Sequence, residues 1–295
     1  MLADDVRMTA WREAIGRVVR PDDVVLDAGT GTGILAFFAC DAGARRVYAV
    51  ERQHTADAAA MLARQLGYAD RVTVIHGRTT EIELPERATL LTTETIGPLV
   101  FNEGILEIVA DARRRLLAPG ARMIPSHIDL WIAPAELPNF YDRLIDWWST
   151  PRLGFDFSAI RTFAANTVYS EKVARDQLLA APETAMSIDF RDLGDTAQHG
   201  AASFHATRDG VVQGFALGFI ATLADGVMLT NQWSGAGWDQ GVLPLETPVA
   251  VTAGTPIDVD VRTDNGAMWH WRGRIGDTEF AQTTLLSRPP CIAVK

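Results

Sequence analysis

Residues 24–35 read Val24-Val-Leu-Asp-Ala-Gly-Thr-Gly-Thr-Gly-Ile-Leu35, and residues 47–51 read Val47-Tyr-Ala-Val-Glu51. The apolar run at 24–26 is typical of a parallel strand that is buried on both faces. The three glycines that follow it allow the backbone to turn sharply and let a ligand approach closely. An apolar helix and a second strand complete the unit, so this stretch predicts half of a Rossmann-like nucleotide-binding fold.

The spacing of the glycines and two carboxylates indicate the kind of nucleotide. A dinucleotide site requires Gly-x-Gly-x-x-Gly, whereas Gly29, Gly31 and Gly33 are spaced Gly-x-Gly-x-Gly, and no lysine follows them as in a P-loop. Asp27 would repel a pyrophosphate but would accept a hydrogen bond from an ammonium group, and Glu51 would bind ribose hydroxyls. S-adenosylmethionine, with S-adenosylhomocysteine as product, fits this pattern. A glycine-rich turn that binds nothing is the alternative, which the two carboxylates disfavour.

Composition excludes several classes of protein. The 295 residues carry a formal net charge of -10, which argues against a partner with a phosphate backbone and is compatible with a cationic substrate. No apolar run approaches the ~20 residues of a membrane span, and the first residues lack the apolar core of a signal peptide. We therefore expect a cytoplasmic protein that binds neither nucleic acid nor membrane. Cys40 and Cys291 form neither a disulfide framework nor a metal-ligand cluster, so no metal is expected.

Two further strands are predicted to bring polar residues to the same edge of the sheet. The strand at 72–75 runs into Arg78-Thr79-Thr80, which should border the adenine because ligands lie outside the carboxyl ends of parallel strands. The strand at 89–93 ends at Glu94, and Glu103 follows nine residues later. A guanidinium is planar, always charged and matched by carboxylates, so Glu94 and Glu103 would hold one from two sides. Glu103 alone is equally compatible with a helix N-terminal residue that complements the helix dipole.

The pattern changes after Ile124-Pro125. Short runs separated by Gly, Asp, Asn and Pro follow, and they predict an antiparallel sandwich or barrel. We therefore expect an α/β cofactor domain at residues 1–124 and a mostly antiparallel β-barrel domain at residues 125–295. The runs predicted to be strands in the second domain are 186–190, 202–206, 214–220, 249–253, 257–261 and 268–274.

Nearly the whole chain resembles the protein arginine methyltransferases. The most specific similarity is the pair Glu94 and Glu103, which keeps the separation of that family's double-glutamate hairpin. The segment from Met1 to Arg7, the glycine loop with Glu51, and Leu117-Ala-Pro-Gly before Ile124-Pro125 are similar as well. Trp147-Trp148 and residues 154–158 resemble the start of the family's dimerisation arm, and Trp238-Asp-Gln240 resembles part of a loop that carries a Thr-His-Trp sequence.

The resemblance implies a seven-stranded Rossmann-like domain, a β-barrel domain, a helical dimerisation arm at about 137–180 and a homodimer. It implies methyl transfer from S-adenosylmethionine to a guanidino nitrogen of a protein or peptide arginine, with Glu94 and Glu103 as the catalytic residues. Arg7, Asp27, Gly29, Gly31 and Glu51 would bind the cofactor together with Arg78, Thr79 and Thr80, and Trp238 would contact the substrate.

Several residues depart from the family pattern. Pro98 stands where an aromatic ring is usual between the two glutamates, and Thr80 stands where an acidic residue usually contacts adenine. If Trp238 is the matching tryptophan, Gly237 stands where the loop histidine is usual. If Trp233 matches instead, the histidine is missing as well. A contact between that histidine and Asp4 should therefore be absent. These changes leave two alternatives open. One is a methyltransferase of a small guanidino metabolite, and the other is a catalytically silent, cofactor-binding dimeric module.

Overall fold

The computed structural model describes residues 1–232 and 238–287. The first 124 residues form one parallel sheet of five strands in the order β3-β2-β1-β4-β5, with helices packed around it. All five residues of β1 are buried, as its apolar sequence predicts for the central strand of such a sheet. The elements are α1 Asp5–Val18, β1 Val24–Ala28, α2 Ile34–Asp41, β2 Arg46–Glu51, α3 Thr55–Gln65, β3 Val72–His76, β4 Ala88–Thr92, α4 Ile105–Arg115 and β5 Leu117–Ile124.

Two antiparallel sheets follow. One has the order β7-β12-β10-β6-β8, with β11 paired to β10, and the other has the order β15-β14-β13-β9. Their inward residues, among them Trp269 and Trp271, belong to the same hydrophobic core as the parallel sheet. The strands are β6 His127–Ala135, β7 Tyr169–Glu171, β8 Glu183–Asp189, β9 Ala197–His205, β10 Gly210–Ala224, β11 Val227–Thr230, β12 Gln240–Val251, β13 Pro256–Asp264, β14 Met268–Ile275 and β15 Thr278–Thr283.

A helical segment is inserted between β6 and β7. It contains α5 Pro138–Leu144, a short 3-10 turn at Asp146–Ser149 and α6 Ala159–Ala165. The inner side of this segment packs on the barrel through Phe140 and Tyr141, whose hydroxyl donates to the carbonyl oxygens of Leu245 and Glu246. The outer side leaves large apolar residues exposed, namely Trp147, Leu153, Phe155 and Phe163.

The predicted fold class is confirmed, with one correction. The parallel sheet has five strands in the described residues rather than the seven expected, because after Ile124 the chain enters the antiparallel sheets. Residues 117–124, which include Pro119-Gly120, form strand β5. In the described part of the chain, no helix has the length and apolar character needed to cross a membrane.

Candidate active site

The glycine turn lies between β1 and α2 and is held by backbone hydrogen bonds to β2. The amides of Gly29 and Thr30 both donate to the carbonyl oxygen of Val50, at 2.9 and 3.0 Å. Gly29 has φ +75°, and a Cβ at this position would lie 2.7 Å from Thr95 Cγ2. The left-handed backbone and the close approach of Thr95, which follows β4, therefore both favour glycine here.

Asp27, at the end of β1, fixes the turn from beneath. Its carboxylate accepts hydrogen bonds from Thr30 Oγ1 at 2.5 Å and Thr92 Oγ1 at 3.0 Å, and its side chain is fully buried. Burial raises the pKa of Asp27 to about 6, against the lowering effect of these hydrogen bonds. Asp27 is therefore buried beneath the turn and bonded to it, and its contact with an ammonium group stays a prediction.

Glu51, at the end of β2, is hydrogen-bonded both to the glycine turn and to the backbone that follows β2. One carboxylate oxygen accepts from the amide of Gly31 at 2.9 Å, and the other accepts from the amide of Gln53 at 2.7 Å. These bonds hold the carboxylate at the carboxyl edge of the sheet, where ribose hydroxyls lie in folds of this kind.

A cavity of about 440 Å³ opens at this edge of the sheet. Seven of the predicted site residues line it: Gly29, Glu51, Arg78, Thr79, Thr80, Glu94 and Glu103. The structure thus brings together residues from the ends of β1, β2, β3 and β4 and from the start of α4. Arg7, Asp27, Gly31 and Trp238 do not line this cavity.

Glu94 and Arg7 meet beside the cavity. Arg7 Nη1 lies 3.6 Å from Glu94 Oε1, and both side chains are only 10% exposed. Arg7 also pairs with Asp4, at 3.3 Å between Nε and Oδ2, and its guanidinium carbon lies 3.2 Å from the ring centroid of Trp238. Neither Glu94 Oε1 nor Arg7 Nε has a hydrogen-bond partner. Trp238 and Asp4 both contact Arg7 in this structure, and the contact of Trp238 with the substrate stays a prediction.

The two glutamates differ in their surroundings. The side chain of Glu94 is only 10% exposed, whereas Glu103 is exposed at the cavity wall. Burial raises the pKa of Glu94 to about 8; Arg7 opposes this rise, and the negative charge of Glu103 adds to it. A cation bound between the two carboxylates would relieve both the burial and the repulsion.

Sequence reasoning missed several residues that line the cavity. Arg52 and Gln53 directly follow Glu51, so extending the strand-end argument by two positions would have found them. Glu107 and Ile108 come from the first turn of α4, and their position depends on the angle at which this helix packs, which no local pattern reveals. Trp233 and Gly237, the two candidate positions of the loop sequence, lie outside the described residues, as does Cys291.

The turn, the carboxylates at successive strand ends and the cavity together define a Rossmann-like methyltransferase site. Family models agree with this class: residues 127–275 match the arginine methyltransferase oligomerization subdomain, and residues 11–128 match the ribosomal protein L11 methyltransferase family.

Two curated relatives show the family to which the chain belongs. The chain is 31% identical over 279 residues to protein arginine N-methyltransferase 6 of Xenopus laevis, covering 88% of this chain and 81% of that protein. It is 35% identical over 199 residues to a probable protein arginine N-methyltransferase 6 of Arabidopsis thaliana, covering 65% of this chain but 46% of that protein. The chain belongs to the protein arginine methyltransferase family, and the resemblance noted in the sequence is confirmed.

Solved structures show the same fold. A chain of the Trypanosoma brucei PRMT1 enzyme-prozyme heterotetrameric complex with AdoHcy superposes with a TM-score of 0.86 at 24% identity, covering 96% of this chain and 95% of that one. Arabidopsis thaliana protein arginine methyltransferase 10, in an open conformation, gives a TM-score of 0.80 at 24% identity with the same coverage.

Proposed function

We propose that this protein transfers the methyl group of S-adenosylmethionine to a guanidino nitrogen of an arginine side chain in a protein or peptide. The observation that carries the proposal is Glu94, a carboxylate nine-tenths buried at the cavity edge, with one oxygen that lacks a hydrogen-bond partner. A buried carboxylate oxygen that only an ion pair at 3.6 Å with Arg7 compensates is costly, and a planar cation with several donors would supply the missing hydrogen bonds. Membership of the arginine methyltransferase family supports the same substrate.

The two glutamates would divide the work on the guanidinium. Glu94 would accept hydrogen bonds from one edge of the guanidinium and draw its positive charge away from the attacking nitrogen. Glu103, which shares the cavity wall, would hold the other side and fix the orientation of the plane. Orientation and electrostatic support are the main requirements, because a guanidinium nitrogen can lose its proton after attack has begun.

The residues around the glycine turn fit S-adenosylmethionine, which supplies the electrophilic methyl group when bound. Glu51 is held at the strand end by two backbone amides and suits the ribose diol. Arg7, which lies beside Glu94 and pairs with Asp4, would contact the carboxylate of the methionine part. Arg78, Thr79 and Thr80 line the cavity, where they would border the adenine.

The helical arm would hold two copies of the chain together as a homodimer. Leu153 is 94% exposed and Phe155 is 67% exposed, and Trp147 in the same arm is exposed as well. An apolar cluster of this kind, presented to solvent, is typical of a protein–protein contact. The match of this region to an oligomerization subdomain supports the assignment.

Incubation with methyl-labelled S-adenosylmethionine tests the proposed function. Arginine-rich peptides and a panel of small guanidino compounds are offered in parallel to the wild-type protein and to Glu94→Gln. We expect label in the peptides with wild type and a loss with the variant, because a neutral amide weakens a charge-assisted hydrogen bond by ~1.5–3 kcal/mol. Label in small compounds alone would refute a polypeptide substrate, and label in neither would refute the enzyme.

A further inference from the structure

The loop that joins Glu94 to Glu103 is held in one conformation. The amide of Val100 donates to the carbonyl of Gly97 at 2.9 Å, and the amide of Gly104 donates to the carbonyl of Phe101 at 3.1 Å. Val100 is fully buried with φ 65°, a left-handed conformation that a β-branched residue rarely adopts. A strained, buried residue persists only when the surrounding structure over-determines it, so something outside the loop must fix it.

The β13–β14 hairpin provides that support. Its turn contains Gly266, which has φ +79° and lies directly against Phe101. A Cβ at Gly266 would lie 2.3 Å from the carbonyl oxygen of Phe101 and 2.6 Å from its carbonyl carbon. These are backbone atoms, so they cannot move aside as a flexible side chain would. The carbonyl in question is the one that accepts from the amide of Gly104, the residue after Glu103.

Buried contacts hold this hairpin turn against the loop. Trp269 Nε1 donates to the carbonyl of Gly266 at 3.2 Å, and the amide of Gly266 donates to Thr263 Oγ1 at 3.0 Å. The indole of Trp269 stacks on the ring of Phe101, with centroids 6.3 Å apart and planes 10° apart. Trp269, Phe101 and Thr263 are almost completely buried. The hairpin and the loop therefore form one packed unit.

From these contacts we infer that Gly266 and Trp269 are positioning residues, through which the β-barrel sets the place of Glu103 opposite Glu94. The missing side chain of Gly266 lets the Phe101 carbonyl settle where it can bind the Gly104 amide, and that bond fixes the start of α4 and the backbone of Glu103. This inference rests on the proposed role of the two glutamates in holding a guanidinium. It means that the barrel helps to position a catalytic residue, in addition to any part that it has in dimerisation.

The test compares Gly266→Ala with Gly254→Ala. Gly254 lies in the β12–β13 turn with φ +89°, and a Cβ there would meet nothing within 4 Å. Both variants therefore place alanine in a left-handed conformation, and only Gly266→Ala pushes on Phe101. We expect Gly266→Ala to lower kcat for an arginine peptide by about tenfold to a hundredfold. The Kd for S-adenosylhomocysteine, measured by calorimetry, should stay at the wild-type value in both variants.

Hydrogen exchange at the Gly104 amide gives a readout that does not depend on activity. The exchange should become faster in Gly266→Ala and remain at the wild-type rate in Gly254→Ala. Unchanged exchange and unchanged kcat in Gly266→Ala would overturn the inference, as would an equal loss of kcat in the two variants. If wild type itself methylates no arginine peptide, the proposed function fails, while the exchange rates still decide whether the hairpin holds the loop.

A second variant guards against a misfolded Gly266→Ala protein. Trp269→Phe removes the donor to the Gly266 carbonyl and keeps an aromatic ring over Phe101. We expect a smaller loss of kcat, again with the Kd for S-adenosylhomocysteine unchanged. A wild-type kcat in Trp269→Phe would contradict the positioning role of the indole.

Discussion

Replacing Glu94 by glutamine should stabilise the protein at alkaline pH while it removes activity. Burial raises the pKa of Glu94 from 4.5 to about 8, so the native state keeps a proton that the unfolded chain has lost. Stability from this group is complete below pH 4.5 and is lost as the pH rises towards 8. At about 1.4 kcal/mol per pH unit, the loss between pH 5 and pH 8 has an upper limit of about 4 kcal/mol.

Glutamine carries no charge and does not titrate, so the variant avoids this loss. Because Arg7 lies 3.6 Å away and loses a partner, we expect a net gain of ~2 kcal/mol at pH 8 relative to pH 5. Urea denaturation of wild type and Glu94→Gln at the two pH values measures the difference directly. Other titrating groups, including Asp27, are present in both proteins and cancel.

Glu103→Gln is the matched control, since Glu103 lines the same cavity but is exposed. Its effect on stability should stay within about 0.5 kcal/mol at both pH values. If Glu94→Gln changes the free energy of unfolding equally at pH 5 and pH 8, then ionising the buried Glu94 does not cost stability and the argument for a guanidinium at this position loses its basis.

Three further predictions concern the cofactor turn, the arm and the pH profile. Gly29→Ala should weaken S-adenosylhomocysteine binding about tenfold or more in calorimetry, because its Cβ would lie 2.7 Å from Thr95 Cγ2, whereas Gly43→Ala, with φ +97° and open space, should not. Leu153→Asp should shift the protein from dimer to folded monomer in sedimentation velocity, since burying a leucine contributes ~1.5–3 kcal/mol; an unchanged dimer would refute the role of the arm. Finally, kcat/KM for an arginine peptide should rise about tenfold per pH unit up to pH ~8 as Glu94 ionises, and a plateau that extends down to pH 6 would contradict this.

The cofactor half of the molecule was readable from the sequence because its signals are local. A buried strand, a glycine turn and a carboxylate at the next strand end occur within thirty residues, and the fold places them as the pattern predicts. The burial of Asp27 was harder to predict from the sequence. Sequence reasoning found the residue, but its burial beneath the turn depends on Thr92, which arrives from a separate strand.

The sequence predicted the antiparallel β-class of the second domain but not the lengths of its strands. Only residues 214–220 of β10 were predicted to be strand, although it runs from 210 to 224, and only the end of β12 was predicted. Pro244 and Pro248 read as strand breakers, yet β12 accommodates them, with an irregular register opposite β10 between Val212 and Gly214. Strand β5 likewise accommodates Pro119-Gly120.

The contacts that complete the site join distant parts of the chain. Arg7 stacks on Trp238, and Gly266 supports Phe101, although each pair is far apart in sequence. No periodicity or motif links such residues, because their meeting depends on how the barrel packs against the parallel sheet. The sequence could identify both glutamates, and only the structure reveals what holds them in place.

Localising the transferred methyl group tests the central claim most directly. An arginine-containing peptide and the same peptide with lysine in place of arginine are incubated with S-adenosylmethionine and the wild-type protein, and the products are fragmented in a mass spectrometer. Our account predicts a methyl group on a guanidino nitrogen of the arginine peptide and none on the lysine peptide. A methyl group on the lysine peptide, or on an atom outside the guanidino group, would contradict it.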